Sequence, residues 1–526
     1  MKAELLKIHA QNVVHPFHGW TRLAGHSHTF RAGLHGVETV KENLVAWSRR
    51  CHIDALGLGS PWEPVSARHY HVCETAQRDA YYGGAIPPDS VMDREAIAAF
   101  LDDLNRRAQG GTFFYLDNET PKNRYGHLWY VGYDYHVPAW HDYSQDRRVA
   151  FWDGEHTDDF NAVTGLPHRR RGYMEVVAQQ RAAGALAIWA HPTSWWRDEA
   201  GGFVTNIAAD MVPQLHADGR LDGMTVQGYD AFHRGYQALW FHLLDFGFQI
   251  PGYSEMDVLT DGELDALRHV LLNAIPAQRE AGQGVDALIP PLRAARHAMS
   301  SGPFLSLTVD GHPTGDALEG RAFKAVVAAY PAPGEASLGH VQLLGRGGEV
   351  LADVKNFTGG LLEFGVETAG RGYLVARAVG EYDTLDAPQK RIAHCALTNP
   401  VYLNPWHITP LATRLILPAP RSPGHDGATF RVLTAAGEPL ECGTLSHAEI
   451  QLDVPASARL EVACADGRLR DIPLSMANPS VRRHMDYLAD GLFLNDHPNL
   501  SPGEVPLEAF RCEAIRDAMQ ELRLTL

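Results

Sequence analysis

Gly25-His26-Ser27-His28-Thr29 sets two imidazoles one residue apart. On an extended chain, side chains two positions apart point to the same side, so one cation can take both histidines as ligands. A polar turn after an edge strand is the plain alternative for such a pair. Further along, Glu119 in FYLDNETP, His127 in YGHLWYVG, His191 in ALAIWAHPTSWW, and Glu255 with Asp257 in IPGYSEMDV each follow an apolar, strand-like run. Imidazoles and carboxylates together suit zinc or manganese. Such a cation lowers the pKa of a bound water toward neutrality and polarises an acyl or phosphoryl oxygen. Ligands at the ends of successive apolar runs are how an α/β barrel builds a site from the carboxyl ends of its strands.

The elements needed to position these residues can be read in order. VETVKENLVAWSRRCHIDALGLGS has helical apolar spacing through Trp47 and then turns to an apolar run, and Asp54 to Gly59 reads as a buried strand. The following loop carries Glu63, His69 and His71, and Pro61 and Pro64 oppose a helix there. DREAIAAFLDDLNRRAQ is a helix capped by Gly110-Gly111, TFFYLDNE a strand ending at Glu119, and YGHLWYVGYD its hairpin partner. Residues 135–171 are loop-rich and aromatic, as lids and binding loops often are. GYMEVVAQQRAAGALAIWAHP, MVPQLHADGRLDGMTVQG and YQALWFHLLDFGFQIPGYSEMD then repeat a helix-turn-strand unit. The alternation argues for an α/β fold, a parallel barrel with helices outside.

Past Val285 the pattern changes to short β-runs separated by Gly and Pro. The expected organisation is a barrel over 1–300, a β-sandwich over 301–407, a second small β-rich domain over 408–477 and a short helical tail over 478–526. The β-rich region should pack beside the barrel and supply few or no metal ligands, because SSGPFLSLTV is too apolar for a free linker. Trp189, Trp195 and Trp196 are expected to pack the barrel mouth or to line a pocket for an aromatic or sugar ring.

Composition narrows the function classes. The 526 residues are 45% hydrophobic and 21% charged, the make-up of a globular protein large enough for several domains. A formal net charge of −17 repels phosphate backbones and anionic membranes, so the expected partner is a small-molecule substrate rather than nucleic acid or a membrane. No secretory leader or bilayer-length apolar run is legible, which gives a cytoplasmic expectation; a homo-oligomer remains open. Six cysteines without CxxC spacing read as reduced, structural thiols. The 28 histidines exceed what structure alone usually requires.

The order of these motifs resembles the PHP (polymerase and histidinol phosphatase) superfamily of metal-dependent hydrolases: His-x-His-Thr, a strand-end Glu, Gly-His, a strand-end His-Pro and a late acidic pair. LLDFGFQIPGYSEMD, HAMSSGPFLSLTVDGHPTGDALEG and CALTNPVYL are similar to its carbaryl-hydrolase-like (CehA/McbA) branch, in which a PHP-type distorted barrel precedes a β-domain. The resemblance spans about residues 20–405. It implies that His26 and His28 bind one metal, Glu119 bridges, and His191 binds the neighbouring ion. It also implies Glu255 and Asp257 as oxygen ligands, and His127 as a ligand or a hydrogen-bonding, proton-shuttling group. The family's Asp-His at the next strand end is replaced by Ser60-Pro61. Glu63 either substitutes for the lost ligand or is a plain loop residue, and one or two ions per chain are expected.

The implied reaction is hydrolysis of a small-molecule ester, amide or carbamate by metal-activated water. A PHP-type phosphoesterase is the first alternative. A metal-dependent lyase acting on a sugar derivative, or a degenerate barrel that only binds ligands, is the other.

Overall fold

The computed structural model of the protein describes residues 1–27 (12 and 14 apart), 37–59, 94–119, 128–133, 180–193, 195–197, 203–205, 221–228, 234–257, 270–380 (281 apart), 394–405 and, with short gaps, 412–524. In chain order the first strands are β1 (Lys2–Ala10), β2 (Thr21–Ala24), β3 (Ala55–Leu58), β4 (Phe113–Glu119), β5 (Leu128–Val131) and β6 (Leu186–Trp189). A small hairpin of β7 (Trp195–Arg197) and β8 (Phe203–Thr205) follows, then β9 (Gly223–Gln227), β10 (Gly252–Ser254), β11 (Leu272–Ile275) and β12 (Ala298–Ser300).

Three helices lie among them: α1 (Val37–Arg50), α2 (Arg94–Ala108) and α3 (Arg234–Asp245). Val40, Leu44 and Trp47 of α1, and Phe100, Leu104 and Ala108 of α2, are buried at three- and four-residue spacing, one face of each helix. Both faces close on Leu56, Leu58 and Phe114 of the sheet. Glu38 opens α1, and Arg49 and Arg50 end it, matching the helix dipole.

The large sheet is mixed and curled. Its order runs β10-β9-β6-β5-β4-β3-β2-β11-β12 and continues through strands Cys395–Thr398, Gly372–Gly380, Leu338–Leu344 and Val350–Phe357. β2, β3 and β4 are mutually parallel, as are β6, β9 and β10. β5 runs antiparallel to both neighbours, so the sheet is not the all-parallel one that helix-strand alternation suggests. The link from Glu119 to Leu128 explains this, because a parallel crossover needs about a dozen residues or more. At the other end β10 lies against β11 and β12 without a backbone ladder.

A second sheet runs β1, Gly360–Glu367, Ala322–Tyr330, Phe304–Val309 and His312–Pro313. Leu305, Val327 and Phe364 from it meet Val341, Leu343, Leu374 and Ala376 of the large sheet in one core, so the two sheets face each other as a sandwich. β1 pairs with Gly360–Glu367, which ties the first residues of the chain to this later half.

Strands Ala412–Leu417, Thr429–Leu433, Pro439–Thr444, Ile450–Pro455, Arg459–Ala463 and Leu469–Pro473 build two smaller sheets over a core of their own. The tail carries short helical pieces and departs from the helical expectation in its closing strand. It contains the short helix Phe493–Asp496 and ends in strand Glu521–Arg523, parallel to Ala412–Leu417. There Leu522 is buried between exposed Glu521 and Arg523, a period of two rather than 3.6. The tail also covers the back of the curled sheet, where Phe510 packs on Trp189 at 6.3 Å between centroids. Trp189 is fully buried there, and the side chains of Trp195 and Trp196 lie outside the described residues. No helix among the described residues is long and apolar enough to cross a membrane.

Candidate metal centre

β2, β4, β6 and β10 all run in one direction around the curl, and each delivers one side chain from its carboxyl end. His26 follows β2, Glu119 is the last residue of β4, His191 follows β6, and Asp257 follows β10. One ligand atom from each lies within 4.8 Å of all the others, a group that could hold a metal ion. His26 Nε2 is 3.4 Å from Glu119 Oε1 and 3.5 Å from Asp257 Oδ1. His191 Nε2 is 2.7 Å from the same Glu119 oxygen and 3.9 Å from Asp257 Oδ2. Donors about 2.0–2.2 Å from a tetrahedral ion stand about 3.3–3.6 Å apart, so small adjustments of the last two pairs suffice. The Asp257 side chain is 30% exposed, whereas the other three are almost fully buried. The centre therefore opens on the Asp257 side.

The backbone is strained into place. His26, His191 and Asp257 have φ of 60°, 28° and 45°, the left-handed region that non-glycine residues enter at a cost of about 1–3 kcal/mol each. Carboxylates hold two of these turns. Asp117 Oδ2 accepts the His26 main-chain N–H at 2.8 Å, and Glu255 Oε1 accepts that of His191 at 2.9 Å. The Met256 N–H, beside Asp257, donates to Gly25 O.

Glu255, expected as an oxygen ligand, lies beside this four-residue group rather than in it. Its second oxygen, Oε2, lies 2.7 Å from His26 Nδ1, so both its oxygens face protein donors rather than the cluster. A carboxylate on Nδ1 fixes the ring and directs Nε2 inward, the usual outer-shell role beside a metal-bound histidine. On a regular strand residues two apart would share a face, but β10 ends at Ser254 and Asp257 has a φ of 45°, so the turn after the strand separates the two, and only Asp257 joins the group.

Two residues at the centre were not singled out from the sequence. Asp117, two before Glu119 on β4 and so on the same face, also accepts Trp129 Nε1–H at 3.0 Å. Gly25, Gly57 and Gly59 enclose its carboxylate; a Cβ on Gly57 would come within 2.2 Å of Oδ2. Burial pushes the Asp117 carboxyl up to about 7, against the pull of those two donors. Trp129 stacks on the His26 ring at 5.9 Å and an interplanar angle of 14°. The D-x-E spacing in FYLDNE was the available signal. His28, Glu63 and His127 lie outside the described residues.

The donor set fits a divalent cation. Burial alone would depress the His26 pKa, but Glu119, Asp257 and Glu255 outweigh it and raise it well above the usual value. His191 is raised in the same way, by the Glu119 hydrogen bond and the same carboxylates against burial. Without a metal, imidazolium protons supply the positive charge this site demands. Their stabilisation is complete below about pH 6.5, the ordinary histidine value, and is lost as pH rises through the raised folded values. A cation replaces those protons. The thermal gain from added zinc over chelator-treated protein is therefore expected to be small near pH 6 and to grow as the pH rises above the ordinary histidine value. Melting curves at several pH values check this, and a gain that shrinks with pH would contradict it.

No family model matches the chain, and no curated protein does. Among solved structures, the chain is similar to the major pilin subunit BcpA of Bacillus cereus, at 10% identity and a TM-score of 0.14, over 43% of this chain and 70% of that one. It is also similar to a glycosyl hydrolase family 2 member from Bacteroides cellulosilyticus DSM 14838, at 9% identity and a TM-score of 0.17, over 86% of this chain and 60% of that one. At these scores neither likeness bears on fold or function. The description that rests on this chain's own geometry is a β-rich protein whose curled sheet gathers a buried His/Glu/His/Asp group able to hold a metal ion.

Proposed function

We propose that the chain is a metal-dependent hydrolase of PHP type, acting on a small-molecule ester, amide or carbamate. The observation that carries this reading is the convergence of His26, Glu119, His191 and Asp257 at the carboxyl ends of four co-directional strands. The curled sheet with α1 and α2 on its outer face is consistent with a distorted PHP-type barrel, and the acyl preference follows from the motif resemblance to the carbaryl-hydrolase-like branch.

Zinc or manganese bound there would supply an acidified water and a Lewis acid for the substrate carbonyl. The chain's own residues do the rest. His26 Nε2 and His191 Nε2, with the Glu119 and Asp257 carboxylates, form the binding set. Glu255 keeps the His26 ring oriented through Nδ1 and the His191 turn in place through its N–H. Trp129 walls off one face of His26 from solvent. The half-buried Asp257 marks the side from which a substrate approaches.

The test is a panel of aryl esters, aryl carbamates, anilides and phosphodiesters offered to chelator-treated protein with and without zinc or manganese. Metal-dependent cleavage of an ester, carbamate or anilide is expected. Metal-loaded protein that cleaves only phosphodiesters would overturn the acyl assignment, and metal-independent cleavage would overturn the mechanism.

A further inference from the structure

β10 leads to Glu255 and Asp257, yet among the described residues it ends the sheet order and has a paired strand on one side only. Pro251 O and the Glu255 N–H are taken by β9, through Met224 N–H and Gln227 O. The groups of Gly252 and Ser254 point to the other edge, where among the described residues no strand pairs with β10 through a backbone ladder. Unpaired buried backbone groups there would each cost about 1–3 kcal/mol.

Side-chain amides occupy that edge. Asn399 Oδ1 accepts the Gly252 N–H at 2.7 Å, and Asn399 Nδ2 donates to Gly252 O at 3.2 Å. Asn273 of β11 does the same two residues on, with Oδ1 taking the Ser254 N–H at 2.9 Å and Nδ2 giving to Ser254 O at 2.8 Å. Each carboxamide offers one acceptor and one donor, as a peptide unit of a neighbouring strand would. Both asparagines are fully buried. Two amides, with His297 Nε2 also 2.8 Å from Gly252 O, thus close the curl between β10 and β11–β12 in place of a ladder.

Asn399 comes from the sandwich half, directly after strand Cys395–Thr398, and its Nδ2 is also 3.1 Å from His297 O just before β12. We propose that Asn399 is a positioning residue for the metal centre, through which the sandwich half sets the register of β10 and hence the placement of Glu255 and Asp257. Only Tyr253 and Ser254 separate its grip on Gly252 from the carboxylate of Glu255, which holds His26 Nδ1 and the His191 turn. No loop intervenes to absorb a shift. This inference rests on the metal-centre reading given above.

The test uses the full-length chain and zinc alone, with cobalt(II) as spectroscopic probe. Asn399→Asp keeps the size but removes the donor; Asn399→Ser removes the amide without adding charge, and is read if the aspartate variant does not fold. Asn404→Ser is the control, since Asn404 clamps Gly320 N–H and O in the same way within the sandwich, away from the centre. The expected result is a zinc affinity about 10- to 100-fold weaker in the Asn399 variants, with an altered cobalt(II) visible spectrum, the size of effect outer-shell partners usually have. Asn404→Ser should keep parent affinity and spectrum. Parent-like zinc binding and spectra in both Asn399 variants would overturn the proposal, as would an equal loss in Asn404→Ser. A parent chain that binds no zinc would instead sink the metal reading, and this inference with it.

Discussion

His191→Ala is expected to purify with far less zinc than the parent, and to lose more than about 100-fold of any metal-dependent hydrolysis. Outer-shell changes already cost about 10- to 100-fold in affinity or activity, so removing a donor atom should cost more. The fold should survive, because alanine keeps the main-chain N–H that Glu255 accepts, and the lost ring's Nε2 partners are the carboxylates of the centre itself. His26→Ala should cost as much metal and more stability, since that ring also carries the Glu255 contact and stacks on Trp129. Metal content by elemental analysis, read beside circular dichroism and turnover, separates these effects. Parent-like metal content in both variants would contradict the assignment.

A chain ending at Val285 is expected in the insoluble fraction. It would lose β12 from the edge of β11, Gly360–Glu367 from β1, and Phe510 from the face of Trp189. Gly252 would lose the Asn399 clamp. Uncovering buried apolar side chains costs about 1.5–3 kcal/mol each, so a handful matches the roughly 5–15 kcal/mol that keeps a domain folded. Fractionation after expression checks this. A soluble fragment with a cooperative melt and parent metal content would make the later half an appendage.

The part of the centre legible in the sequence was the part written locally. Glu119 closes an apolar strand at the expected residue, and His191 and Asp257 follow short buried runs, so strand-end placement could be read from pattern alone. α1, α2 and β3 likewise stand where apolar spacing put them. What escaped depends on contacts distant in sequence. β1 is mostly exposed and pairs with a strand more than three hundred residues away, so no local pattern announces its partner. Glu255 and Asp257 are chemically interchangeable on paper, and only the geometry of His26 Nδ1 and the His191 N–H assigns the first to support. Asp117 was hidden by its apolar context, although its two-residue spacing from Glu119 placed both on one face. Asn273 and Asn399 look like ordinary polar residues until the open edge of β10 is seen beside them.

The most direct measurement is anomalous diffraction at the zinc edge from crystals of the zinc-loaded chain. The account predicts a peak about 2.0–2.2 Å from His26 Nε2, His191 Nε2 and one oxygen each of Glu119 and Asp257, with Glu255 still on His26 Nδ1. Zinc bound elsewhere, or absent from between these four side chains, would contradict it.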